Sequence, residues 1–296
     1  MERKQNRRSA IKNIITGTVA AGAAGALSSF TTAGQPSQSS MALKGNINHS
    51  VARWCFNDFT LDELCGAAKD MGMTGIDLIG PGEWHILKKH GLTSAMCNGA
   101  EINLDDGFGE KKFHAQLHKN YTEMIPKVAD AGYKNLICFS GRRRGMDNET
   151  VWSNCVEGLK PMVELAARHN VTLVMELLNS KINHKDYFAD RTANGVEICK
   201  RLGSENFKLL YDIYHMQVDE GDVIHNIREN HQYIAHYHTA GVPGRNEIDD
   251  TQELYYPAIM KAIVATGFKG FVAQEFLPKQ KDKLASLKKS VQICDV

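Results

Sequence analysis

The sequence predicts a single (β/α)8 TIM barrel, and three observations carry that prediction. Eight short apolar or alternating runs recur between residue 50 and the C-terminus, segments of 3.6-residue period fill most gaps between them, and no Gly-rich nucleotide loop follows the first run. Strict alternation of strand and helix calls for parallel strands, and eight such units are the number that closes a barrel. A doubly wound open sheet is the competitor, but neither G-x-G-x-x-G nor a P-loop stands where that fold would place it. No solenoid-period repeat and no linker interrupts residues 46–296.

Taken in order, the first strand is expected over Val51–Phe56, followed by a helix over Thr60–Met71. The second strand, Gly75–Ile79, leads into a short helix near Glu83–Lys89, and the third, Thr93–Cys97, into a long one over Phe113–Ala131. Asn135–Ser140 and Thr172–Leu178 give the fourth and fifth strands, each followed by an amphipathic stretch, Thr150–His169 and Thr192–Leu202. Lys208–Ile213 is the sixth strand, with a helix over Asp222–His231 after its loop. Ile234–Thr239 and Gly270–Phe276 complete the set, with helices over Glu253–Thr266 and from Lys281 to about Ile293. Gly91, Gly132, Gly203 and Gly267 stand where helices stop, as C-terminal caps needing positive φ often do.

The first forty residues differ from the rest. Arg3, Lys4, Arg7, Arg8 and Lys12 form a basic head, Ile14–Leu27 is weakly apolar, and a Ser/Thr/Gly/Gln stretch runs to Ser40. These are the three parts of an export signal, and Asn6-Arg7-Arg8-Ser9-Ala10-Ile11-Lys12 resembles a twin-arginine motif. The expectation is an exported, periplasmic or membrane-associated protein made of a signal and linker over 1–40 and a barrel over 41–296; an uncleaved anchor or a plain basic tail is the alternative. The whole chain carries a formal charge of +1, yet residues 41–296 hold 30 basic and 33 acidic side chains, so the near-neutral total conceals a basic head on a mildly acidic domain. Nothing in that balance calls for nucleic acid. No stable membrane span is expected in the mature chain, and a homo-oligomer stays open. The seven cysteines are odd in number, scattered and without C-x-x-C spacing, so neither a zinc ribbon nor a disulfide framework is indicated.

In a barrel, chemistry sits where strands end and βα loops begin. The last four strands end on polar groups: Val174-Met175-Glu176, Leu210-Tyr211-Asp212, His236-Tyr237-His238 and Ala273-Gln274-Glu275. Because alternate strand residues face the same way, Glu176, Asp212, His238 and Glu275 share the inward face with Val174, Leu210, His236 and Ala273. Three carboxylates and one imidazole would then aim at one point. Burying like charges together is costly, and a divalent cation resolves the conflict. Oxygen-rich ligation suits Mn²⁺, Mg²⁺ or Co²⁺ better than structural zinc. Singly, each residue reads as a strand-end ion pair, a helix cap or a core histidine.

The segments Glu176-Leu177-Leu178-Asn179-Ser180, Tyr211-Asp212-Ile213-Tyr214-His215-Met216-Gln217 and His236-Tyr237-His238-Thr239-Ala240-Gly241-Val242-Pro243-Gly244-Arg245-Asn246-Glu247 resemble the hydroxypyruvate isomerase family. More broadly they are similar to the xylose isomerase-like TIM barrels that include ketose 3-epimerases. The likeness covers most of residues 48–296. It implies Glu176, Asp212, His238 and Glu275 as metal ligands and His215 and Arg245 as contacts to substrate oxygens. His238 is the choice of the ketose epimerases, where the hydroxypyruvate isomerase pattern often has Gln.

The implied activity is a metal-dependent isomerisation of a small hydroxy-carbonyl compound, sugar or hydroxy-keto acid. Glu176 and Glu275 would flank the substrate, one removing a proton beside the carbonyl and the other returning it. Return to the same carbon gives a 3-epimerase, elimination gives a lyase or dehydratase on an oxidised sugar, and ligand binding without exchange gives an exported sugar-binding barrel. His215 reads otherwise as part of a helix cap, and Arg245 as a surface partner of Glu247 or Asp249. Arg142, Arg143 and Arg144, after the fourth strand, read as an anion site or as a solvated loop.

Overall fold

The structure, a computed structural model, describes residues 42–296. The export signal expected over 1–40 lies outside the described residues. Eight strands close into a barrel in sequence order: β1 Asn48–Ala52, β2 Gly75–Ile79, β3 Thr93–Cys97, β4 Asn135–Cys138, β5 Thr172–Glu176, β6 Phe207–Asp212, β7 Ile234–Thr239 and β8 Phe271–Gln274. Every neighbouring pair is parallel, and β8 pairs back on β1 through Ser50 opposite Ala273. With helices over the outer face, both faces of the strands are buried. Leu173, Val174 and Met175 on β5 are all inaccessible, which explains why that strand reads as a continuous apolar run without alternation.

Nine α-helices are described: α1 Leu61–Asp70, α2 Trp84–Lys89, α3 His114–Asp130, α4 Asn148–Arg168, α5 Thr192–Leu202, α6 Ile213–Asp219, α7 Val223–Asn230, α8 Tyr256–Ala265 and α9 Lys283–Cys294. Local chemistry sets their ends. Thr60 and Glu63 form a reciprocal capping box at the start of α1, and the Asp147 and Asp282 side chains accept backbone N–H groups at the starts of α4 and α9. At the base of the barrel the C-terminus is tied under β1: the Lys44 N–H donates to Asp295 and Asn46 Nδ2 donates to the Val296 carbonyl.

Two expectations need correction. The first strand ends at Ala52, because its ladders reach only Ala52 toward β2 and Val51 toward β8; Arg53–Phe56 then turns as a 3-10 helix. A helix absent from the sequence expectation, α6, begins at Ile213, so His215 lies in a first helical turn instead of a loop. Strands β4, β5 and β8 are likewise shorter than their apolar runs, which continue into the βα loops. One such loop, after β3, packs so tightly across the end of β4 that a Cβ at Gly107 would lie 2.3 Å from the Phe139 carbonyl oxygen. All seven cysteines are buried free thiols.

Candidate active site

The register of the last four strands brings the expected residues together. Asp212 stands opposite His238, His238 opposite Ala273, and Glu275 follows two residues beyond Ala273 at the exit of β8. Glu176, the last residue of β5, is opposite Leu210, two residues before Asp212. Ligand atoms of Glu176, Asp212, His238 and Glu275 all lie within 4.8 Å of one another, and all four residues are buried. His238 Nδ1 lies 2.7 Å from Glu275 Oε2 and 3.2 Å from Glu176 Oε1.

Burying three carboxylates in one place shifts their proton affinities in opposite directions. Burial raises Asp212 to about 7 against the pull of Arg245, and it raises Glu176 against a hydrogen bond to His238. Burial acts on Glu275 as well, but the charges of His238 and Arg245 prevail and hold it well below the usual carboxylate range. His238 would be lowered by burial; the surrounding carboxylates, Glu275 first, lift it well above the ordinary histidine value. This donor set, convergent, buried and excess in negative charge, fits a hard divalent cation.

Arg245 lies among these groups. It occupies a loop position with φ 59° after Gly244, and its Nη2 reaches 2.5 Å from Glu275 Oε2 and 3.2 Å from Asp212 Oδ2. The surface pairing with Glu247 or Asp249 is therefore not formed; Glu247 instead accepts the backbone N–H groups of Lys279 and Gln280. The Arg245 guanidinium lies 5.2 Å from the ring centre of Trp54 and 5.5 Å from that of Tyr214.

His215 is fixed in one tautomer. The Asn179 backbone N–H, which can only donate, points to Nδ1 at 3.1 Å, so the ring proton resides on Nε2. That Nε2 is buried, has no hydrogen-bond partner among the described residues and lies 3.7 Å from Asp212 Oδ2. Burial first, and the charge of Arg245 next, keep this histidine neutral. Asp212 also caps α6 by accepting the His215 N–H, so the capping interaction and the site share the same two residues.

Two further residues join the site, and the second of them, Asp77, was not singled out from sequence. Trp54 Nε1 donates to Glu275 Oε1 at 2.7 Å. Asp77, with no exposed surface, meets His236 and His238 and is held well below the carboxylate range by those two rings despite burial. An acidic residue in the middle of Gly-Ile-Asp-Leu-Ile was the available signal for Asp77. By contrast Arg142 pairs with Asp105, and Arg144 with Asp106 and Glu110, so two of the three adjacent arginines are already matched by carboxylates of the preceding loop. A cavity of about 490 Å³ opens from the cluster toward the ends of β2 to β4, where the apolar side chains of Leu78, Ile102, Leu104 and Phe139 alternate with Asn98, Glu101 and Asn103.

A family model described as xylose isomerase-like TIM barrel matches residues 65–292. The chain belongs to the xylose isomerase-like TIM barrel family. Among curated relatives of this barrel, a 2-oxo-tetronate isomerase of Cupriavidus necator is 35% identical over 124 residues, covering 42% of this chain and 47% of that protein, about half its length. The hydroxypyruvate isomerase of Escherichia coli is 26% identical over 226 residues, covering 72% of this chain and 86% of that protein. A solved AP endonuclease, family 2, from Brucella melitensis superposes with a TM-score of 0.73 at 24% identity, covering 81% of this chain and 97% of that one, a likeness of fold.

Proposed function

We propose that this barrel is a metal-dependent isomerase of a small hydroxy-carbonyl compound or sugar, of the hydroxypyruvate or 2-oxo-tetronate type. The observation that carries this reading is the convergence of Glu176, Asp212, His238 and Glu275 at one buried point, in a chain whose relatives are named as isomerases of those compounds. These four residues would hold one divalent ion, Mn²⁺ or Mg²⁺ by donor chemistry, with Co²⁺ also compatible. Bound there, it would polarise the substrate carbonyl and offset the charge that develops on its oxygen.

The chain's own groups do the rest. Glu176 and Glu275 enter from strands three positions apart, so a substrate between them presents its carbon–hydrogen bond to one carboxylate and the neighbouring carbon to the other. One, ionised, takes the proton and leaves an enediolate; the other, protonated beforehand, gives its proton to the neighbouring carbon while the hydroxyl proton passes to the former carbonyl oxygen, and exchange with solvent resets the two carboxyls. His215 offers its unpaired Nε2–H to a substrate oxygen, and Arg245 offers its planar donors to a hydroxyl or carboxylate. Trp54 steadies Glu275 by donating to its second oxygen.

The test is deuterium incorporation from solvent into hydroxypyruvate and a panel of ketoses, after chelation and after Mn²⁺ is restored. Exchange that needs the ion and falls in Glu176→Gln and Glu275→Gln supports the reading; wild-type exchange in both variants refutes the assigned roles. A second reading, a ketose 3-epimerase, is supported by His238, the residue choice that the resemblance associates with the ketose epimerases. Product analysis separates the two, and a lyase would change the product's mass. Export by the first forty residues is part of the proposal, and full-length protein confined to the cytoplasm of cells expressing a C-terminally tagged chain would refute it.

A further inference from the structure

The four-residue cluster leaves another buried carboxylate without a role. Asp77 Oδ2 lies 2.5 Å from His236 Nε2 and 3.2 Å from His238 Nε2, and all three residues have no exposed surface. A carboxylate taken out of water needs donors, and these two imidazoles are the donors it meets. β2 is distorted around this residue: its register with β3 shifts on both sides of Asp77, and Leu78 sits at φ 60°. A left-handed backbone is unfavourable for leucine, and such strain persists only where the surroundings over-determine it.

His238 therefore faces two different partners. Its Nδ1 looks toward Glu275 and Glu176, and its Nε2 toward Asp77. An imidazole ligates with one nitrogen while the other donates its N–H, and the acceptor of that N–H fixes which nitrogen is which. We propose that Asp77, itself held by His236, is a positioning residue for His238: by accepting the Nε2–H it leaves Nδ1 as the nitrogen offered to the ion. This inference rests on the reading of Glu176, Asp212, His238 and Glu275 as a metal site. Asp77, His236 and His238 would themselves suit a second ion. That use would strip both nitrogens of His238 at once when the first ion is bound, and the substrate cavity reaches neither Asp77 nor His236.

The deciding measurement is calorimetric titration of the full chain with Mn²⁺, alongside melting curves, for wild type, Asp77→Asn, Asp77→Ala, His236→Gln and His236→Leu. The wild type should take up one ion, and the Asp77 variants should bind it about 10–100-fold more weakly. His236→Gln, which keeps a donor to Asp77, should stay closer to wild type than His236→Leu. A purely structural role would lower the melting temperature and leave Mn²⁺ affinity unmoved. Folded Asp77 variants that bind within about twofold of wild type overturn the proposal, and two ions per wild-type chain falling to one in the variants overturn it in favour of the second ion. A wild type that binds no Mn²⁺ overturns the metal reading beneath it. If the variants do not fold, ¹⁵N-histidine NMR of the Mg²⁺-loaded wild type decides: His238 protonated at Nε2 and bare at Nδ1 supports the assignment, and the reverse overturns it.

Discussion

The two halves of the barrel rim do different work. Strands β5 to β8 deliver Glu176, Asp212, His238 and Glu275, all ionisable, to one buried point. Strands β1 to β4 and their loops face that point across the cavity with Leu78, Ile102, Leu104 and Phe139 set among Asn98, Glu101 and Asn103, while Trp54 and Asp77 act on side chains of the opposite half. A charge cluster needs low dielectric and fixed donors, whereas an adaptable substrate wall needs shape. Dividing the rim leaves the charges dependent on the first half through a few contacts, Trp54 and Asp77 among them.

The sharpest way to break this division is to neutralise one charge in the ionisable half. Glu176→Gln or Glu275→Gln should reduce solvent-proton exchange by about 10²–10⁴-fold, with the fold retained by circular dichroism, since a general acid–base contribution is of that size. If a wall substitution costs as much, the division fails.

Next in size is the response to pH of metal uptake. Without the ion, Asp212 binds its proton up to about pH 7 because burial disfavours its charge. Ligation requires that proton to leave, so apparent Mn²⁺ affinity should fall by at least tenfold per unit as pH drops below about 7, and the proton that His238 must also release keeps it rising above that pH. Flat affinity between pH 5.5 and 7.5, followed by calorimetry, would remove Asp212 from the ligand set.

Trp54→Phe tests the link between the halves. The ring beside Arg245 is kept, but the N–H to Glu275 is lost. A hydrogen bond to a charged group contributes about 1.5–3 kcal/mol, so kcat/KM should fall by about tenfold or more, chiefly in kcat. The smallest effect belongs to the wall. Leu104, 37% exposed, should on replacement by Ser raise KM by a few-fold with kcat and melting temperature nearly unchanged.

Much of the fold was legible because periodicity is local. Strands β2, β3 and β7 and helix α5 begin and end where the sequence pattern places them. Helix α6 was not legible: seven residues give too little periodicity, and Ile213-Tyr214-His215-Met216 continues the apolar run of β6. In the site, the four convergent ligand candidates could be read from alternation at strand ends, whereas for Asp77 the sequence offers only an acidic residue inside an apolar strand, and its pairing with His236, 159 residues away, could not be read.

The sequence by itself thus determined the strand-helix alternation, the number of units and the inward face of the last four strands, since these follow from side-chain periods of 2 and 3.6 residues. Only the closed barrel decided which charges meet. It brought β2 across to β7, so that Asp77 meets His238, and it brought the loop after β1 to β8, so that Trp54 meets Glu275. Hydrogen bonds and proton affinities depend on distances of a few ångströms between residues remote in the chain, and no local pattern encodes such distances.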